Sequence, residues 1–210
     1  MTDQEIFELV AAGERRGVEF KGPRPRTSRQ QLAEVARAVL GLTNTRDGGL
    51  VLVGVSDARE IQGLSAGDAD TWRRADDVRA SLARFADPFV QVDSELITIA
   101  TAGPAQGRTI AVLTVHEFEI TPVLCADQVL AAGGDEILHR GACYVRSNRM
   151  PATTEIADHA HLRELLDLAV EKGVREFLRR ARAAGLQANA AALVTDAERF
   201  AAQRARAFDE

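Results

Sequence analysis

Three carboxylates stand at positions where chemistry is possible. Glu14 precedes the run Arg15-Arg16-Gly17-Val18-Glu19-Phe20-Lys21, and Asp57 follows the apolar run Leu50-Val51-Leu52-Val53-Gly54-Val55-Ser56. Carboxylate oxygens are hard donors, and a convergent set of them suits Mg²⁺ or Mn²⁺. An ion held that way stabilises charge on a phosphoryl group or activates a water. Spacing alone fits three solvated surface acids better, since most acids in loops and at strand ends are of that kind. Lys21 would stabilise a phosphate or orient the carboxylates. Between 15 and 29 the chain carries Arg15, Arg16, Lys21, Arg24, Arg26 and Arg29 against Glu19 alone, although its overall net charge is −5. A basic strip beside acids suits a phosphodiester ligand, with a solvated loop face as the alternative. Arg140, Arg146 and Arg149 would extend such a groove. Gly48-Gly49 and Gly54 would let a phosphate approach backbone N–H groups.

The elements that must position these residues follow from periodicity. Residues 3 to 12 read as a helix capped by Thr2 or Asp3 and closed by Gly13. Val18 to Lys21 reads as a strand, which puts Glu19 and Lys21 on one face and Val18 and Phe20 on the other. A helix from Ser28 to about Leu42 carries Leu32, Val35, Ala36, Val39 and Leu40 at helical spacing. Asn44, Asp47, Gly48 and Gly49 make a turn into a buried strand over 50–55, so Asp57 lies past a strand's carboxyl end, where α/β sheets usually bind ligands. Asp68 would cap one helix running through Ala86, ended by Pro88. Strands are expected over 90–100 and 109–115, then short ones over 121–126 and 137–146. From Thr153 the pattern turns helical, over 153–183 and again over 189–208, with Asn189 as the second cap.

The expected architecture is α+β or α/β: a mixed central sheet flanked by helices over 1–150, followed by a helical C-terminal extension over 151–210. Composition sets the outer limits. The chain has 210 residues, 46% hydrophobic and 27% charged, which suits one packed domain. Aromatics are 5%, too few for stacking platforms to dominate nucleic-acid binding. Cys125 and Cys143 make neither a zinc pattern nor a disulfide framework and read as buried thiols. His159 and His161, two apart on a helix, do not face each other. The sequence has no Gly-x-x-x-x-Gly-Lys-Ser/Thr, so no P-loop ATP site is expected. No run reaches membrane-spanning length, and Met1-Thr-Asp-Gln-Glu5 is not a signal peptide, so the chain reads as cytoplasmic.

The order of these motifs resembles a known family. Glu14, four residues, Glu19-Phe-Lys21; then Leu42-Thr-Asn44-Thr, two residues, Gly48-Gly49; then Leu52-Val-Gly54-Val-Ser-Asp57 and Ile61-Gln-Gly63 resemble the Schlafen AlbA-type domain. Gly107-Arg108 before a strand, Thr121-Pro-Val123 and Tyr144-Val-Arg146-Ser147 continue the likeness, which covers about residues 10–165. The resemblance implies a single Schlafen AlbA-like lobe that binds nucleic acid, RNA or DNA. In nuclease members three carboxylates cut structured RNA such as tRNA with a divalent cation. Those acids match Glu14, Glu19 and Asp57, and Lys21 matches the lysine beside the second glutamate. Arg15, Arg16, Arg24, Arg26, Arg29, Arg146 and Arg149 would then track the backbone. Other bacterial members are non-catalytic regulators, and an interaction subunit of a defence or toxin system is a further reading. Animal nucleases carry two lobes and a zinc site. This chain has one lobe and no matching Cys/His set, which points to a homodimer if a two-sided groove is needed. The C-terminal helices are candidates to bind a protein partner.

Overall fold

The computed structural model describes residues 1–147 and 152–185. Helix α1 (Asp3–Ala12) starts at a capping box: the Thr2 hydroxyl accepts from Glu5 N–H, and the Glu5 carboxylate accepts from Thr2 N–H. Strand β1 (Val18–Lys21) follows, then helix α2 (Arg29–Thr43), capped by Ser28. The Gln31 amide of α2 donates to Gly22 O at 3.1 Å, tying the helix to the loop that leaves β1. Strand β2 (Gly49–Val53) runs parallel to β1, with Glu19 beside Val51 and Lys21 beside Val53.

The next segment departs from expectation. Instead of one helix, α3 (Ala66–Trp72) and α4 (Ala75–Ala83) are separate, and Ser65 rather than Asp68 caps the first. Two side-chain anchors account for the break. Arg26 Nε donates to Thr71 O at 2.5 Å, satisfying a carbonyl that a continuing helix would have used. Trp72 is buried with its indole N–H on Arg24 O at 3.0 Å.

Strands β3 (Ala86–Asp87), β4 (Val92–Thr98) and β5 (Thr109–Val115) come next. The main sheet has the order β1-β2-β5-β4, parallel at β1/β2 and antiparallel elsewhere, which makes it the mixed sheet of an α+β fold. It is buried on both sides. Val51, Val53, Ala111 and Leu113 pack with α2, while Val18, Phe20, Leu52 and Ile110 pack with Ile6 and Val10 of α1. That explains why β2 reads as a continuous apolar run. It also means that Glu19 and Lys21, in step with Val51 and Val53, face the α2 side.

Four short strands follow: β6 (Leu124–Cys125), β7 (Val129–Leu130), β8 (Glu136–Leu138) and β9 (Tyr144–Arg146). Thr153 does not begin a helix. Thr153–Glu155 is a strand, β10, antiparallel to β9 with Thr153 opposite Arg146. Two adjacent β-branched threonines suit a strand better than a first helical turn. Helix α5 (His159–Ala183) starts after Asp158, whose carboxylate accepts from His161 N–H at 2.9 Å. The expected helix over 189–208 lies outside the described residues.

The chain divides into two compact units, Met1–Ala169 and Val170–Glu210. The first takes in β10 and the start of α5. In the second, Val170, Val174 and Phe177 of α5 are exposed, and Arg179 and Arg180 hold the Glu176 carboxyl down at about 2. Cys125 is buried and Cys143 half-buried, both free; burial pushes the Cys143 thiol up to about 11. No helix among the described residues is long and apolar enough to cross a membrane.

Candidate functional site

The connector between α1 and β1 is a tight turn. Arg15 and Val18 exchange backbone hydrogen bonds at 3.3 and 2.9 Å. Glu14 bends back across it, and its Oε1 accepts from Phe20 N–H at 2.8 Å. This brings Glu14 next to Glu19, so the five-residue step in sequence becomes adjacency in space. Burial, and then the Glu19 charge, raise the Glu14 carboxyl above its ordinary range against the opposing pull of the Phe20 hydrogen bond. A desolvated carboxylate in a cleft next to another acid is a frequent mark of a functional site.

Asp57 arrives from the neighbouring strand. Gly54 N–H and Val55 N–H both donate to Lys21 O, at 2.8 and 3.1 Å, which fixes the start of the Asp57 turn at the end of β1. Ser56 N–H donates to Glu60 O at 3.0 Å and closes that turn. Asp57 itself is exposed.

Glu14, Glu19, Lys21 and Asp57 line one cleft of about 520 Å³. Its other walls are Glu34, Arg37 and Ala38 of α2, Glu136 and Ile137 of β8, and Ala152 and Thr153. A smaller cleft of about 290 Å³ adjoins it and shares Lys21, Glu34 and Asp57 while adding Arg24. Periodicity missed Glu34, Arg37 and Glu136. The signal for the first two was present: they are the partly exposed charged positions in a helix whose residues from Gln31 to Thr43 are otherwise buried.

The floor of the cleft is an ion-pair network. Glu19 is 8% exposed; one carboxylate oxygen faces Lys21 Nζ at 2.5 Å and the other meets Arg146 Nη1. Arg146 is 0% exposed. Its guanidinium also donates to Arg16 O at 3.0 Å, Arg15 O at 2.9 Å, Val18 O at 3.2 Å and the Thr153 hydroxyl at 3.1 Å. Arg146 thus clamps the turn that carries Glu14 and Glu19. The expectation that it tracks nucleic acid is corrected by its burial.

Other cations sort in the same way. Arg26 is engaged with Thr71 O, Asp77 O and the Ser81 hydroxyl, so it staples α3 to α4 and is not a backbone-tracking residue. Arg16 pairs with Glu164. Arg15, Arg24 and Arg29 are exposed, and Arg149 lies outside the described residues. The glycines do not form a phosphate cradle. Gly48 and Gly54 N–H donate to Thr45 O and Lys21 O, and a Cβ at Gly48 or Gly49 would stand 2.0 Å from Val115 O or 2.4 Å from Gly17 O. These glycines allow close backbone packing. Asn44 is likewise structural. Its amide donates to Val123 O at 2.8 Å and Tyr144 O at 2.9 Å and accepts from Val123 N–H at 2.8 Å.

The fit to a divalent cation is partial. The donors are of the right kind, and five carboxylates face the basic lining residues Lys21 and Arg37 and the buried Arg146, so negative charge is in excess. The geometry is not that of a closed ligand set: no three Asp, Glu, His or Cys side chains among the described residues are arranged to hold an ion. Both Glu19 oxygens are already paired with cations.

Fold and cleft define a class: an α+β domain with an acid-rich site built on the edge strand of a mixed sheet, backed by a single long helix. The chain belongs to the Schlafen AlbA_2 family, whose model matches residues 14–152. That membership gives it a nucleic-acid-related function. Among solved structures, the DIP2311 protein from Corynebacterium diphtheriae is similar at 16% identity and a TM-score of 0.49, over 77% of this chain and 27% of that one. The chain thus spans well under two thirds of that protein. No curated protein matches the sequence.

Proposed function

We infer that the cleft is the active site of a divalent-metal-dependent endoribonuclease acting on tRNA or similarly structured RNA in the cytoplasm. The observation that supports this most is the meeting of Glu14, Glu19 and Asp57, from three separate elements, in one cleft with an excess of negative charge. Glu14, Glu19 and Asp57 would hold Mg²⁺ or Mn²⁺. When bound, the ion supplies charge stabilisation at the scissile phosphate or a deprotonated water. Lys21 orients Glu19, and the exposed Arg15, Arg24 and Arg29, of which Arg24 lines the adjoining cleft, would contact the RNA backbone. Two copies of the single lobe would form a two-sided groove, which a mass measurement in solution tests.

A second reading has its own support. Both oxygens of Glu19 are paired with Lys21 and Arg146, as they would be in a binding module whose acid is structural. Incubating the protein with total tRNA and Mn²⁺ separates the two. The nuclease reading expects cleavage by the wild type that Asp57→Ala abolishes. Equal behaviour of the two proteins leaves the binding-module reading.

A further inference from the structure

We propose that Arg37, on α2, is the phosphate-contacting residue of the cleft; this rests on the nucleic-acid reading of the same site, though not on catalysis. The cations that the sequence marks for phosphate contact are the strip from 15 to 29, Arg146 and Arg149. The structure engages several of those cations elsewhere. Arg146 is buried against Glu19, Lys21 pairs with Glu19, Arg16 pairs with Glu164, and Arg26 staples two helices. Arg37 differs from all four. It lines the cleft, yet among the described residues it makes no ion pair, although five carboxylates line the same cavity.

Arg37 is nevertheless held in place. Its guanidinium carbon lies 5.4 Å from the centroid of the Tyr144 ring. Its Nη2 donates to Thr153 O at 3.3 Å. Tyr144 is fixed in turn, because its hydroxyl accepts from His139 N–H at 2.9 Å. The Arg37 Nε is buried without an acceptor, and Nη2 gives one hydrogen bond to Thr153 O. The head group is therefore oriented by a ring and a carbonyl, is not neutralised by an ion pair, and has Nη1 and the second Nη2 hydrogen left for a ligand. An aromatic face and a neutral carbonyl orient a guanidinium without cancelling its charge. A planar fork in that state matches the paired oxygens of a phosphodiester, and a lysine does not reproduce it. The ligand chemistry is a backbone phosphate, which RNA and DNA share.

The test is equilibrium binding in EDTA, so that no cleavage intervenes, over a series of salt concentrations. The probes are a labelled RNA hairpin and a DNA hairpin of the same sequence. For Arg37→Met the expected result is about a tenfold loss of affinity and a salt slope shallower by about 0.7 to 0.9, the signature of one lost phosphate contact. Arg37→Lys keeps the slope and loses a few-fold in affinity. That variant carries the test if the methionine protein does not fold. Both probes should respond alike. A wild-type slope in Arg37→Met overturns the proposal, as does a loss confined to RNA, which would mean a 2′-hydroxyl contact. If the wild type binds neither hairpin, the nucleic-acid reading itself fails, and that outcome is distinct from an unchanged slope.

Discussion

Glu19 and Asp57 line the same cleft and are the same kind of side chain, but they live in different physical worlds. Glu19 sits on the floor, almost wholly buried, with a cation on each oxygen. Asp57 sits at the mouth, exposed, on a turn held by bonds of its neighbours Ser56, Arg59 and Glu60. Buried charges must be paired, and their pairing then holds the surrounding chain in shape. Exposed charges add little to stability and remain available to a ligand. The floor is therefore where the site is built, and the mouth is where it meets its partner. Glu14 lies between the two, half-buried, with one oxygen engaged by the Phe20 N–H.

The comparison breaks most visibly if the floor is not structural. Arg146→Met leaves buried Glu19 with Lys21 as its one cation and takes a donor from each of three backbone carbonyls, of which Arg15 O and Val18 O keep a backbone partner. It should cost about 3–5 kcal/mol of stability, read as a fall in denaturant midpoint. The double variant Arg146→Met/Glu19→Gln should recover part of that loss. A single-variant cost below about 1 kcal/mol, the scale of a surface pair, would place the floor on the same footing as the mouth. Asn44→Ala removes three buried hydrogen bonds that hold the Val123 and Tyr144 backbones, the latter two residues before Arg146. The expected cost is about 2–3 kcal/mol, and Asn44→Asp should recover little of it because it cannot donate to the two carbonyls.

Glu14 sharpens the middle ground through pH. Its carboxyl is raised in the folded chain, so the folded state binds that proton more tightly than the unfolded state does. Stability from this group is thus full below the ordinary carboxylate value of 4.5 and declines as pH rises through the raised value. Glu14→Gln should remove that decline and make the protein more stable at neutral pH by a fraction of a kcal/mol, since water screens a half-exposed carboxylate. Thermal melts of both proteins at pH 4 and pH 7 would show it, and parallel shifts would contradict it. The smallest stability effect belongs to Asp57→Asn, within about 0.5 kcal/mol of wild type. A larger shift would mean that the mouth, too, is structural.

Much of this was legible in the sequence because it depends on local rules. Strand parity put Glu19 and Lys21 on one face, and the 2.5 Å contact between them bears that out. The Thr2 and Ser28 caps and the run from Leu50 to Val53 mark their elements directly. What periodicity left out depends on partners far along the chain. The break between α3 and α4 comes from Arg26, about 45 residues earlier, taking the Thr71 carbonyl. Strand β10 exists because β9 is there to pair with it. Arg146 reads as a surface cation until the Glu14–Glu19 turn, 127 residues away from it at Glu19, closes over its guanidinium. Nothing in the sequence marks Arg37 as a cleft residue, because a charged residue in an apolar helix is usually the solvent-facing position; here that position opens into the cleft.

The proposed nuclease function requires the acids of this cleft to share a divalent cation. Diffraction from crystals soaked in Mn²⁺, with data collected near the manganese edge, addresses it directly. The expected result is an anomalous peak between Glu14, Glu19 and Asp57, with Glu19 released from Lys21. An empty cleft at saturating Mn²⁺, with Glu19 still held by both Lys21 and Arg146, would contradict it and leave a binding site without metal chemistry.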